Sequence, residues 1–253
     1  MEYILRISKL TKTFGGLMAI NEVSTDIPKQ NIFGIIGPNG AGKTTLFNIL
    51  TGIYQPGKGQ VLFESRDITG QPAFQIASLG INRTFQNLRL FKKLTTLENV
   101  MVGFHTSTKG GIWDYLISTK RAKKEKEESI INALKLLNYV GLFEKHETLA
   151  SDLPYGDQKL LEIARALALK PKVLLLDEPS SGMNSSETNH LIKLIREINL
   201  AGVTIIVIEH NMKVIMAISH RIMVIDHGVK IAEDEPDSIK KNDRVIEAYL
   251  GRG

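Results

Sequence analysis

The chain has 253 residues, 43% apolar and 23% charged, with no cysteine and a formal net charge of +5. That length suits one large α/β domain with an inserted subdomain. The lack of cysteine excludes disulfides, thiolate metal sites and cysteine nucleophiles, and is compatible with a reducing compartment.

The mild positive balance suits phosphates or an anionic membrane face. No apolar run approaches the ~20 residues that a membrane span needs. The opening "MEYILRISKL" is too short in its apolar part, and too regularly alternating, for a signal peptide. The expectation is a cytoplasmic chain that serves any membrane from outside the bilayer.

The first third reads as β-rich. Ile4 to Leu10 alternates apolar and polar residues, Ile32 to Ile36 is a short buried-type strand, and Gln60 to Glu64 is another. A helix is expected from Thr44 to its stop at Gly52. From about Asn87 the texture changes. Thr95 and Glu98 form a capping-box signature ahead of Val100 and Met101. "TKRAKKEKEESIINALKLL" reads as a long helix. Its mixed-sign charges, three or four residues apart, mark a solvated face and not a nucleic-acid patch.

In "LPYGDQKLLEIARALALKP", Leu160, Ile163, Ala164, Leu167 and Ala168 recur at helical spacing and Pro171 marks the stop. Pro154, Tyr155, Gly156 and Asp157 read as a loop ahead of that helix. Beyond Pro171, Val173–Leu176 and Val203–Ile208 are continuously apolar strands. They alternate with helices marked by Leu191, Leu194, Ile195 and Ile198, and by Met212, Ile215 and Ile218. Such alternation means a parallel sheet covered on both faces. "RIMVIDHGVKIAE" reads as a closing hairpin with His227 and Gly228 in the turn.

Two motifs carry chemistry. "GPNGAGKTT" (Gly37, Pro38, Asn39, Gly40, Ala41, Gly42, Lys43, Thr44, Thr45) matches G-x-x-x-x-G-K-[ST] and lies between a predicted strand and a predicted helix. Its glycines let backbone N–H groups curl around phosphate oxygens, and the helix N-terminus adds partial positive charge. Lys43 can reach the β- and γ-phosphates, and the Thr44 hydroxyl can ligate Mg²⁺. "VLLLDEP" ends a strand with Asp177 and Glu178, on the edge where parallel sheets bind ligands. Asp177 can hold Mg²⁺ and Glu178 can polarise an attacking water. Gln86, after a short strand, offers an amide to Mg²⁺ and water. His210 follows "TIIVIE" on the same sheet edge.

In this order, the phosphate loop, Gln86, "LPYGDQ", "LLLDEP", "SGMN" and His210 resemble the ATP-binding cassette (ABC) ATPases over essentially the whole chain. The resemblance implies a P-loop α/β fold. Its core and β subdomain would span 1–86 and 171–253, with a helical subdomain at 87–170. It implies ATP and Mg²⁺ as cofactors, Phe14 of "KTFGG" as the adenine-stacking aromatic, and Lys43, Gln86, Glu178 and His210 as catalytic residues. Pro154–Asp157 occupy the place of the signature motif, usually Leu-Ser-Gly-Gly-Gln, which closes over ATP held by a partner subunit.

The departures are specific. Pro154 replaces the serine, removing a hydroxyl and an N–H; Tyr155 replaces a glycine; Asp157 stands where glutamine is usual. Asn184 stands where the loop after "LLLDEP" usually has aspartate. With "RTFQNLRLFKKLTTLENVMVG", "YGDQKLLEIARAL", "VIEHNMKVIM" and "VIEAYLG", they resemble the LivG-type ATPases of branched-chain amino acid importers. That implies a second ATPase subunit, two permease chains in the membrane and a periplasmic binding protein, with no nucleic acid. The one phosphate loop in 253 residues fits neither the two-cassette translation ATPases nor the repair ATPases with long coiled-coil insertions, the rival reading.

Overall fold

The computed structural model describes residues 2–84, 89–105 and 120–250. Gln86 lies outside them. The chain divides into two compact units, one of residues 1–83, 172–181 and 188–253, the other of residues 84–171 and 182–187.

The larger unit holds two sheets. Strands β1 (Tyr3–Phe14), β2 (Leu17–Pro28), β4 (Lys58–Phe63) and β5 (Arg66–Asp67) form an antiparallel sheet in the order β2-β1-β4-β5. β3 (Ile32–Ile36), β6 (Ile81–Arg83), β7 (Val173–Asp177), β8 (Thr204–Ile208), β9 (Arg221–Asp226) and β10 (Val229–Asp234) form the second. Its order is β10-β9-β3-β8-β7-β6, parallel except for the β9–β10 hairpin. Every residue of β3, β7 and β8 is buried, as their unbroken apolar runs require of strands covered on both faces.

Between the sheets, Leu5, Ile7, Ile20 and Ile27 share a core with Phe33, Ile35, Leu46, Phe47, Leu175 and Ile206. Helix α1 (Lys43–Leu50) contributes Leu46, Phe47 and Leu50 to it. Helix α2 (Ala73–Leu79) is short and buries Ile76 alone.

The smaller unit packs helix α3 (Thr96–His105) against α4 (Lys120–Tyr139) and α5 (Tyr155–Ala168). Its start is a capping box: Glu98 Oε2 accepts the Thr95 N–H at 2.8 Å, and Thr95 Oγ1 accepts the Glu98 N–H at 3.2 Å. Gly103 brings α3 close to α5, because a Cβ there would stand 2.7 Å from both Ala168 Cβ and the Arg165 carbonyl oxygen. The smaller unit's core includes Val100, Ala133, Leu137, Leu161 and Ala164.

Helix α5 starts at Tyr155, so Tyr155, Gly156 and Asp157 form its first turn and not a loop ahead of it. Pro154 is the N-cap, with ψ 152°, and a residue there has no helical N–H to lose. Gln158 Nε2 donates back to the Leu153 carbonyl at 2.8 Å, which fixes the chain's approach.

Beyond α5 the larger unit resumes. Helices α6 (Ser185–Leu200), α7 (Met212–Ile218), α8 (Pro236–Lys240) and α9 (Asp243–Leu250) complete the chain.

Candidate functional site

The phosphate loop joins the buried strand β3 to α1. Gly37 adopts φ 150°, and a Cβ there would come within 1.9 Å of the Ile225 carbonyl oxygen. Gly42 adopts φ 105°, with a Cβ 2.4 Å from the Ala19 carbonyl oxygen. No other residue fits either position. Pro38, Asn39, Gly40 and Ala41 make the turn, which the Ala41 N–H closes on the Pro38 carbonyl at 3.2 Å. Gly42 is the N-cap of helix α1, which has no side-chain cap and no acidic residue in its first turn. Its opening N–H groups and dipole are therefore aimed at the loop's interior, the setting for an anion.

Lys43 is buried, and its ammonium donates to the Gly37 carbonyl at 2.6 Å and the Pro38 carbonyl at 2.8 Å. Burial pushes its pKa below the ordinary lysine value, against the opposing pull of the Glu178 and Asp177 carboxylates. Thr44 is exposed at the start of α1, with Thr45 half-buried behind it.

Asp177 closes β7 and is 1% exposed. Its Oδ2 accepts from Arg83 Nη2 at 3.0 Å. Arg83, at the end of β6, also donates to Asn48 Oδ1 at 2.7 Å and Thr51 Oγ1 at 3.3 Å, and its guanidinium lies over the Phe47 ring. This cation ties the metal-candidate carboxylate to α1, and sequence reasoning missed it. Its only signal was a cation placed at the end of a short strand ahead of Gln86. The Thr44 hydroxyl and the Asp177 carboxylate are hard oxygen donors that fit a hard divalent cation. Among the described residues no group of three or more His, Cys, Asp or Glu could hold a metal.

Glu178 follows with φ 48°, left-handed backbone in a non-glycine residue. Such a conformation costs ~1–3 kcal/mol and persists only when its surroundings enforce it. Here the Glu178 N–H donates to the Ile208 carbonyl at 2.9 Å and its own carbonyl accepts from Ser181 at 3.2 Å. The strand register pairs Asp177 with Ile208, so the next residues of the two strands emerge side by side. His210 Nε2 lies 2.9 Å from Glu178 Oε1.

Phe14 is exposed to 40%, packs edge-on against Tyr54 at 5.2 Å, and has Lys12 Nζ 5.0 Å from its centroid. It is no core residue, and part of its ring is open to a stacking partner.

In the smaller unit, Tyr155 lies against Gly182, and Gly156 faces Glu187 so closely that a Cβ would be 2.9 Å from Oε1. Asp157 pairs with Lys145. Asn184 caps α6: its Oδ1 accepts from Ser186 and Glu187 at 2.9 and 3.0 Å, while Glu187 Oε2 accepts the Asn184 N–H at 2.8 Å.

The family described as ABC transporter matches residues 20–181. The family described as branched-chain amino acid ATP-binding cassette transporter matches residues 229–253. The chain is 44% identical over 249 residues, 98% of both sequences, to the high-affinity branched-chain amino acid transport ATP-binding protein LivG of Salmonella typhimurium. Its fold matches the ADP conformation of MJ1267, an ATP-binding cassette of an ABC transporter, with TM-score 0.87 and 32% identity over all of both chains. It also matches the dimeric structure of MJ0796, a bacterial ABC transporter cassette, with TM-score 0.79 and 25% identity over 92% of this chain and 98% of that one. Among the described residues no helix is long and apolar enough to cross a membrane. A nucleotide-binding phosphate loop in this fold, matched over most of its length by such relatives, means that the chain belongs to the ATP-binding cassette family of ABC transporters.

Proposed function

We propose that this chain is the ATP-hydrolysing subunit of a branched-chain amino acid importer, seated on the inner face of the cell membrane. The observation that carries the hydrolytic part is the Glu178–His210 contact of 2.9 Å, on strand ends of the sheet that bears the phosphate loop. The likeness to LivG over 98% of both sequences supports the solute class.

ATP sits with its phosphates in the loop Gly37–Thr45 and its adenine on Phe14. Lys43 exchanges loop carbonyls for β- and γ-phosphate oxygens. Glu178 takes the proton from a water attacking the γ-phosphorus, the bond from that phosphorus to the β–γ bridging oxygen breaks and ADP leaves, while His210 holds Glu178 in line and Gln86 orients the water. Thr44, Asp177 and Gln86 would hold Mg²⁺, which when bound neutralises charge on the β- and γ-phosphate oxygens.

The site is completed by another molecule. A second ABC ATPase subunit, a different chain or a second copy, covers the γ-phosphate with its own signature turn, as Pro154–Asp157 of this chain do in return. Pro154 supplies no N–H, so the opening amides of α5 at Tyr155, Gly156 and Asp157 take that task, as free N–H groups at a helix N-terminus do for anions. The dimeric state of MJ0796 supports such pairing. Two permease chains receive the motion, and a periplasmic binding protein delivers the solute.

Reconstitution tests this reading. The chain should co-purify with two membrane permeases and a second ATPase, and solute-loaded binding protein should accelerate ATP hydrolysis by the complex in vesicles. An ATPase that joins no membrane chain and responds only to nucleic acid contradicts it.

A further inference from the structure

Glu209 sits between Ile208 and His210 and is 3% exposed. A carboxylate so buried needs partners, and Glu209 finds them in two backbone segments. Its Oε1 accepts the Ser180 N–H at 2.9 Å. Its Oε2 accepts the N–H groups of His210 at 2.9 Å and Asn211 at 3.1 Å.

Ser180 is two residues beyond Glu178, in the turn that holds the left-handed Glu178 backbone. Asn211 is the N-cap of α7, its Oδ1 accepting from Lys213 and Val214. One carboxylate therefore bridges the segment that presents Glu178 and the segment that presents His210. Bonds from N–H to a carboxylate are shorter and roughly twice as strong as neutral ones. An apolar side chain at this position would leave three donors without their acceptor, and an amide would turn its own N–H₂ against one of the two segments.

We infer that Glu209 is a positioning residue: it holds Glu178 and His210 at their 2.9 Å separation by clamping the backbone on either side. The inference rests on the proposed reading of Glu178 and His210 as the hydrolytic pair. These three bonds all come from backbone N–H groups, those of Ser180, His210 and Asn211, so removal of the Glu209 carboxylate should alter turnover and spare nucleotide binding.

The test is Glu209→Gln in the full chain, read by kcat, by KM for ATP and by amide hydrogen exchange. Expected are a kcat at least ~10-fold lower, a KM within about twofold of wild type, and exchange at least ~10-fold faster at Ser180, His210 and Asn211 with β7 and β8 amides unchanged. Glu209→Asp keeps both acceptors but is one methylene shorter, and should fall between Glu209→Gln and wild type. Wild-type kcat and exchange in both variants overturn the inference. So does a loss of turnover accompanied by a raised KM or by faster exchange throughout β7 and β8, the marks of general loosening. A Glu178→Gln control separates the two levels. Wild-type hydrolysis by that control overturns the reading of the pair, whereas the exchange data on Glu209→Gln judge the clamp alone.

Discussion

The ring of Tyr155 lies against Gly182: a Cβ added to Gly182 would stand 2.8 Å from the Tyr155 Cε1. With Gly156 against Glu187, this contact fastens the first turn of α5 to the turn that leads into α6. It explains why residues 182–187 belong to the smaller unit although the chain on either side belongs to the larger one. The large ring of Tyr155 is a packing device for that turn. Gly182→Ala meets both the ring and an unfavourable φ of 77°, and should cost ~1–3 kcal/mol in urea unfolding. Tyr155→Ala in the same chain should remove the clash and leave the backbone strain, giving a coupling energy of ~0.5–3 kcal/mol. Strict additivity would mean that ring and turn do not touch.

Gly156→Asp sets a carboxylate against Glu187, whose Oε1 would be 2.9 Å from the new Cβ. Bulk and like charge act together there, and Glu187 is already engaged in capping α6. The variant is expected to lose ATP-driven dimerisation, followed by light scattering, while nucleotide still binds the phosphate loop. Dimerisation at wild-type ATP concentrations would contradict the role given to the start of α5.

The Arg83–Asp177 pair is buried on both sides, with side chains 7% and 1% exposed. Removing one partner of such a pair leaves an uncompensated charge and costs ~3–5 kcal/mol. Arg83→Met should show a loss of that size in denaturant unfolding, and Arg83→Met with Asp177→Asn should recover most of it. A single variant as stable as wild type would show that the ion pair contributes nothing.

Much of this was legible in the residues. The phosphate loop, the apolar runs of β3, β7 and β8, and the Thr95–Glu98 capping box each carry a local rule strong enough to survive folding. Other features were not legible. Strand β2 alternates poorly, because register shifts against β1 break its period. The start of α5 was hidden by Pro154 and Gly156, which read as loop residues until the N-cap geometry is known. Arg83 and Glu209 carry no local signal of their parts, since only tertiary packing brings Asp177 to one and the Ser180 N–H to the other.

Tyr249 of α9 reaches back to the phosphate loop. Burial pushes its phenol above the ordinary tyrosine value, against a hydrogen bond from the Gly37 backbone. A raised folded-state pKa means that the stabilisation is complete below the unfolded value of ~10 and is lost as pH rises through the folded one. Alkaline titration of stability should therefore steepen above about pH 10, and Tyr249→Phe should remove that step. An identical alkaline profile in the variant would leave Tyr249 without a part in it.

The central claim, that hydrolysis depends on Glu178 held by His210, is tested most directly by phosphate release from Glu178→Gln under saturating ATP and Mg²⁺. The account predicts a rate lower by ~10²-fold or more, with ATP still bound to the loop. Phosphate release at the wild-type rate would contradict it.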